Sequence, residues 1–188
     1  MMKEKPIIFS FTMIKAILEN RKTQTRRVIK SLKQLRDKPS TNLSYQPFQV
    51  GMILWVKETW TPCDETTYYT KADTQLHHTD NPNCKIIWLR RQPPERFPDW
   101  IPSIFMPRWA SRITLEITDV RVERLQEITT DDIDREGCDY IAPADKEVDV
   151  WADYRKWFIN LWDSINAKRG YGWDKNSWVF VISFKRIK

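Results

Sequence analysis

Four glycines in 188 residues set the first limit on this chain. A chain of this length carries about 13 at the average usage near 7%. Glycine turns the backbone left-handed without steric cost and lets a phosphate approach the main chain closely. With so few, neither G-x-x-x-x-G-K-[ST] nor G-x-G-x-x-G occurs. ATPase, GTPase and dinucleotide-binding readings therefore lack their phosphate cradle.

Metal and redox chemistry are equally thin. The only histidines, His77 and His78, are adjacent, so H-E-x-x-H and the H-x-E signature of zinc deaminases are absent. Cys63, Cys84 and Cys138 form no C-x-x-C pair. Cys63, His77, His78 and Cys84 supply four zinc-ligand types, but at spacings that fit no recurrent zinc module, so no metal site is expected. Three cysteines are not a disulfide framework, which points to a reducing compartment. No apolar run approaches the roughly 18–20 residues of a membrane span, and residues 1–6 lack a signal-peptide layout. A cytoplasmic protein without a membrane partner is the expectation.

Charge is segregated. Residues 1–40 hold 11 Lys/Arg against 3 Asp/Glu, residues 85–112 hold 6 against 2, and residues 166–188 hold 6 against 1. Residues 127–153 reverse this with 10 acidic side chains against 2 basic. Basic blocks brought to one face attract phosphates; left on separate faces they only solvate the surface. Ten tryptophans raise the interest of the first arrangement, because bases stack on aromatic rings while cations hold the backbone.

The hydrophobic pattern predicts short strands at residues 7–11, 24–28, 52–58, 68–71 and 85–89. A longer strand is expected over 112–123 and a closing one over 178–184. Helices are expected over 13–19 with Thr12 as cap, over a short acidic stretch capped by Thr129 or Thr130 and ending at Glu136, and over 151–168. The last has Trp151, Tyr154, Phe158, Leu161, Trp162 and Ile165 on its apolar stripe. Trp55 is expected in the core. Asn20 and Gly137 take the left-handed position after their helices, and Gly170 stops the last one. Strands and helices do not alternate regularly, so the class is α+β with a small curled sheet or barrel. Residues 30–50 read as a loop. The proline-rich stretch 61–103 reads as an irregular insertion in a single domain spanning 1–188.

The densest polar motif is Asn-Arg-Lys-Thr-Gln-Thr-Arg-Arg at residues 20–27, between a helix end and a strand. Lys22 lies among Arg21, Arg26 and Arg27, and neighbouring cations disfavour its charged form. A lysine so perturbed can serve as a general base, with the Thr25 hydroxyl as the group it activates. The same residues would equally make a basic turn that contacts phosphate or solvates the surface. On a strand, Thr25 and Arg27 share one face while Gln24, Arg26 and Val28 take the other.

This motif resembles the Gly-x-Lys-x-x-Thr-x-Arg signature of the ASCH domain family, with Asn20 in place of the glycine. The segments Gly-Met-Ile-Leu-Trp-Val-Lys-Glu at 51–58, 125–137 ending in Glu-Gly, and 178–184 resemble the family in the same order. Residues 106–112 and 161–173 resemble its longer phage and prophage members, which would put the protein in a host cytoplasm. The resemblance implies a PUA-like small β-barrel with flanking helices. It also implies a chemistry, since one small bacterial member removes the acetyl group from acetylcytidine. By motif position Thr25 would be the nucleophile, Lys22 its base, and Glu136 would orient Lys22 or help protonate the leaving amine. No cofactor is needed. Other members are proposed to bind RNA, and one is credited with ribonuclease activity. A nucleoside or nucleic acid, RNA ahead of DNA, is the expected partner.

Arg21, Arg26 and Arg27 are the expected substrate-binding cations beside that triad. Trp60 and Trp109 adjoin strand ends and basic residues, and are candidates to stack a base. Arg108 and Arg112 flank Trp109 and are candidates to hold phosphate. The alternative for this group is a rim strand that packs its tryptophans inward.

Overall fold

The computed structural model describes residues 3–30, 47–62, 67–72, 76–78, 100–140 and 150–188. The chain divides into two compact units, Met1–Leu18, Met52–Glu116 and Arg186–Lys188 forming the first, and Glu19–Gly51 and Ile117–Lys185 the second. Eight strands and three α-helices are present among the described residues, which makes the protein α+β.

In the first unit, β1 (Glu4–Ile8) runs parallel to β3 (Ile53–Lys57), pairing Pro6 with Trp55. The parallel register needs a crossover, and α1 (Phe11–Leu18) begins it. Ser10 caps this helix, its hydroxyl accepting from the Met13 amide at 3.4 Å, so the cap falls two residues before the expected Thr12. The sequence places the first strand too late because Ile7 and Ile8 extend an apolar run into the helix start. Strand β3 pairs antiparallel with the beginning of β7 (Thr114–Arg124), Leu54 opposite Leu115. A separate small sheet of β4 (Trp60–Pro62), β5 (Thr67–Thr70) and β6 (Leu76–His78) runs antiparallel throughout. Its middle strand falls at the expected 68–71, while β4 and β6 lie where the sequence reads as irregular. The expected strand at 85–89, most of the loop at 30–50, and Cys63 and Cys84 lie outside the described residues.

In the second unit, β2 (Gln24–Val28) matches its expected bounds and pairs antiparallel with β8 (Trp178–Arg186), Thr25 opposite Ile182. Val179, Phe180, Val181 and Ile182 are buried in succession, as a strand covered on both faces requires. The strand order is β1-β3-β7-β8-β2.

Helix α2 (Thr130–Arg135) starts from a capping box in which the Thr129 hydroxyl and the Asp132 carboxylate each accept the other's amide. Helix α3 (Val150–Asn166) lays Phe158 and Trp162 on Leu125, Ile128, Ile133, Trp173, Val179 and Val181. Trp151 departs from expectation. It is 36% exposed, with the Arg155 guanidinium 5.5 Å from its ring centroid, because the core packing of this helix starts a turn later at Tyr154. Asn20 has φ of 59° and Gly137 a φ of 91°, so both take the expected left-handed conformation at a helix exit. No described helix is long and apolar enough to cross a membrane.

Candidate functional site

The site is built where the segment before β2 meets the end of α2. Lys22 and Glu136 form an isolated antiparallel bridge, and the Thr23 amide donates to the Arg135 carbonyl at 2.8 Å. Glu136 caps the helix in αR geometry, and Gly137 then turns the chain away. This backbone link brings together two side chains 114 positions apart. The Lys22 amine donates to Glu136 Oε2 at 2.5 Å and to the Glu136 carbonyl at 2.9 Å. The Lys22 side chain has no exposed surface, and that of Glu136 is 3% exposed.

A buried ammonium next to water-excluding walls loses its hydration, so burial pushes the Lys22 pKa down. Glu136 opposes that shift through its charge and its hydrogen bond, while Arg27 and Arg26 add to it. A carboxylate at a helix C-terminus opposes the backbone dipole by about 0.3–1 kcal/mol, and here two cations offset that cost.

The second cation is Arg26. Its Nη1 donates to Glu136 Oε1 at 3.1 Å and to Gln24 Oε1 at 2.8 Å. Its Nη2 lies 2.7 Å from Glu123 Oε1 and 3.0 Å from Asp132 Oδ2. Arg121 closes the far side, donating from Nε to Glu123 and from Nη2 to Asp132. Lys22, Arg26 and Arg121 thus alternate with Glu136, Glu123 and Asp132. The sequence reading missed Glu123, Asp132, Arg121 and Gln24. A signal was present in Arg121-x-Glu123, two opposite charges on one face of an expected strand, and in the capping-box aspartate.

The remaining motif residues take different places. Arg21 bonds Glu19 through Nε and Nη2 and donates from Nη1 to the Gly137 carbonyl at 3.0 Å, beside the Lys22–Glu136 pair. Thr25 has 3% of its surface exposed, and its side chain makes no hydrogen bond among the described residues. As residue 25 of a strand, it lies on the face opposite Gln24 and Arg26. Arg27 is half-buried. Burial lowers its pKa, the Glu136 charge opposes this, and Arg169 repels it.

Trp60, Arg108, Trp109 and Arg112 belong to the first unit. Trp60 is 6% exposed and packs edge-on against Trp109, ring centroids 5.6 Å apart, over Met106 and Ala110. Trp60 packs inward, while Trp109 is half-buried on the short turn Arg108–Ala110 rather than on a strand. Arg112 grips the buried Glu58 with two hydrogen bonds of 3.0 and 2.9 Å. Arg108 pairs with Glu4 on the surface and lies 5.9 Å from the Trp55 ring centroid. Trp55 is half-buried rather than core, since its ring also carries Lys57 at 5.4 Å. Cys138 is a buried free thiol, and no group of three or more metal-ligand side chains occurs among the described residues.

Fold and site together define an α+β protein with a buried lysine–glutamate–arginine cluster at a helix end. No family model matches the sequence, and no curated protein matches it. Solved structures similar to this chain include the following two. An ASCH domain from Lactobacillus crispatus aligns with a TM-score of 0.42 and 12% identity over 98% of this chain and 79% of that one. A DUF984-family protein from Enterococcus faecalis aligns with a TM-score of 0.43 and 8% identity over 92% of this chain. The chain spans 65% of that second protein, just under two thirds.

Proposed function

We propose that this protein binds a nucleobase or modified nucleoside beside residues 21–27 and Glu136, and hydrolyses an acyl-amide bond of the acetylcytidine type. The observation that carries the reading is the buried Lys22 amine held 2.5 Å from the Glu136 carboxylate. The resemblance of residues 20–27 to the ASCH signature supplies the reaction class.

In this reading neutral Lys22 takes the Thr25 hydroxyl proton as the oxygen attacks the acetyl carbonyl. The carbonyl–nitrogen bond then breaks, and the cytosine amine leaves with a proton returned through Lys22 and Glu136. Water hydrolyses the acetyl-threonine ester, releasing acetate and restoring the hydroxyl. Glu136 holds the amine between proton transfers. Arg21 and Arg27 supply positive charge for the developing oxyanion. The purified protein should release cytidine from acetylcytidine. Thr25→Ala should abolish release with the fold intact, and Lys22→Met should slow it by roughly 10²–10⁴-fold. No turnover on any acylated nucleoside sinks the reading.

One observation favours a rival. Lys22 and Thr25 are only 2% and 3% exposed, as residues of a structural tie would be. The protein would then be a non-catalytic reader of RNA or modified DNA that uses its basic blocks. Its affinity should fall with salt at a slope of about 0.7–0.9 per phosphate contacted, and salt-insensitive binding would count against it.

A further inference from the structure

We propose that Arg26 is a positioning residue that clamps helix α2 at both ends and thereby holds the Glu136 carboxylate on Lys22. The proposal deepens the amidohydrolase reading and rests on it for its catalytic meaning. The clamp itself is a property of the folded protein and can be measured without turnover.

The four oxygens served by Arg26 come from three elements. Gln24 is its neighbour on β2, Glu123 lies on β7, Asp132 stands in the first turn of α2, and Glu136 caps that helix. A six-residue helix is too short to hold its own geometry by backbone bonds, since even helices of about 12–15 residues are marginal alone. One planar guanidinium reaching its first turn and its cap fixes where the cap residue points. Arg26 takes Oε1 of Glu136, which leaves Oε2 directed at the Lys22 amine. Arg121 secures the two outer carboxylates, so the Arg26 fork is itself held from behind.

Geometry also argues against direct substrate contact. The Arg26 side chain is 1% exposed, and both terminal nitrogens are committed. Its Cζ lies 5.8 Å from the ring centroid of buried Phe158. A lysine at this position would keep the charge but not the two-pronged reach, because an ammonium is a point charge and the guanidinium a flat fork.

The test follows the Lys22 amine by NMR of lysine side chains, assigned with Lys22→Met, in the wild-type protein, Arg26→Gln and Arg26→Lys. Far-ultraviolet circular dichroism and melting confirm folding of each. Arg26→Gln releases the Glu136 carboxylate, whose charge and hydrogen bond hold the Lys22 pKa up more than the Arg26 charge holds it down. The Lys22 titration midpoint therefore falls, whereas loss of the cation alone would raise it. Arg26→Lys keeps the charge, so a change there, seen as faster exchange of the Lys22 amine protons, reports the fork alone. With acetylcytidine as substrate, both variants should lower kcat more than they raise KM, and Arg26→Gln should move the rising limb of the pH profile to lower pH. A folded Arg26→Gln with the wild-type Lys22 titration, or with a raised midpoint, overturns the proposal. If Arg26→Gln does not fold, Arg26→Lys decides by proton exchange. Failure of both to fold makes Arg26 a structural strut and also overturns it. Lys22 behaviour shifted as expected, without wild-type turnover, upholds the clamp and rejects the hydrolase.

Discussion

Asp132→Asn gives the buried charge network its most quantitative test. The Asp132 side chain is 8% exposed, its Oδ1 accepts from Arg121 at 2.7 Å, and its Oδ2 lies 3.0 Å from Arg26. Burial alone pushes this carboxyl up. The Arg121 hydrogen bond, the Arg26 charge and the Thr129 amide outweigh it and bring the pKa from 3.8 to about 2. A carboxylate whose pKa is lower in the folded state stabilises the fold fully above its unfolded value. That contribution is lost as pH falls through the folded one. At 1.36 kcal/mol per pH unit the difference is about 2.4 kcal/mol. Arg121 is 36% exposed, so solvent screens one of the partners and lowers the expected loss to about 1–2 kcal/mol at neutral pH. Asparagine keeps the volume and an oxygen for the Thr129 amide, so the helix cap survives the change. Urea denaturation of both proteins at pH 7 and pH 3 reads the effect, and the gap should shrink to about half at the lower pH. Equal stability at pH 7, or a gap that does not change with pH, would refute the assignment of Asp132 as a working anion of the network.

Arg112→Ala should cost about 3–5 kcal/mol, because it strands the Glu58 carboxylate, which is 1% exposed. A melting curve within a degree of wild type would show that the pair carries no such weight. Asn20→Ala forces a Cβ-bearing residue without a local hydrogen-bonding group to hold a φ of 59°, and should destabilise by about 1–2 kcal/mol. Asn20→Gly should stay within a few tenths of a kcal/mol of wild type, and the same loss from both would point elsewhere than backbone strain. Because burial lowers the Lys22 pKa, hydrolysis should rise with pH through a midpoint below the ordinary lysine value. A midpoint at or above the ordinary lysine value would remove Lys22 as the base.

Local chemistry was legible where neighbouring residues decide it. The strand from Gln24 to Val28 and the Thr129 cap follow from β-branching and side-chain capping, which act within a few residues. The left-handed turns at Asn20 and Gly137 follow in the same way from steric freedom at one position. The small sheet of β4 to β6 was mostly hidden, because prolines at turns and prolines at strand ends look alike in a sequence.

The candidate site divides along the same line. That Lys22 and Thr25 stand three residues apart between a helix exit and a strand is written in the chain, and so is the clustering of cations about them. Which of those cations face inward is not, since a strand offers two faces and only the packing partner selects one. Arg26 turns toward Glu123, Asp132 and Glu136 because α2 and β7 bring three carboxylates to that face. Trp60 turns into the core because Met106, Ala110 and Trp109 leave it an apolar seat. The meeting of Lys22 with Glu136 was an expectation carried by resemblance alone. A backbone bridge between distant segments decides it, and no local propensity encodes such a bridge.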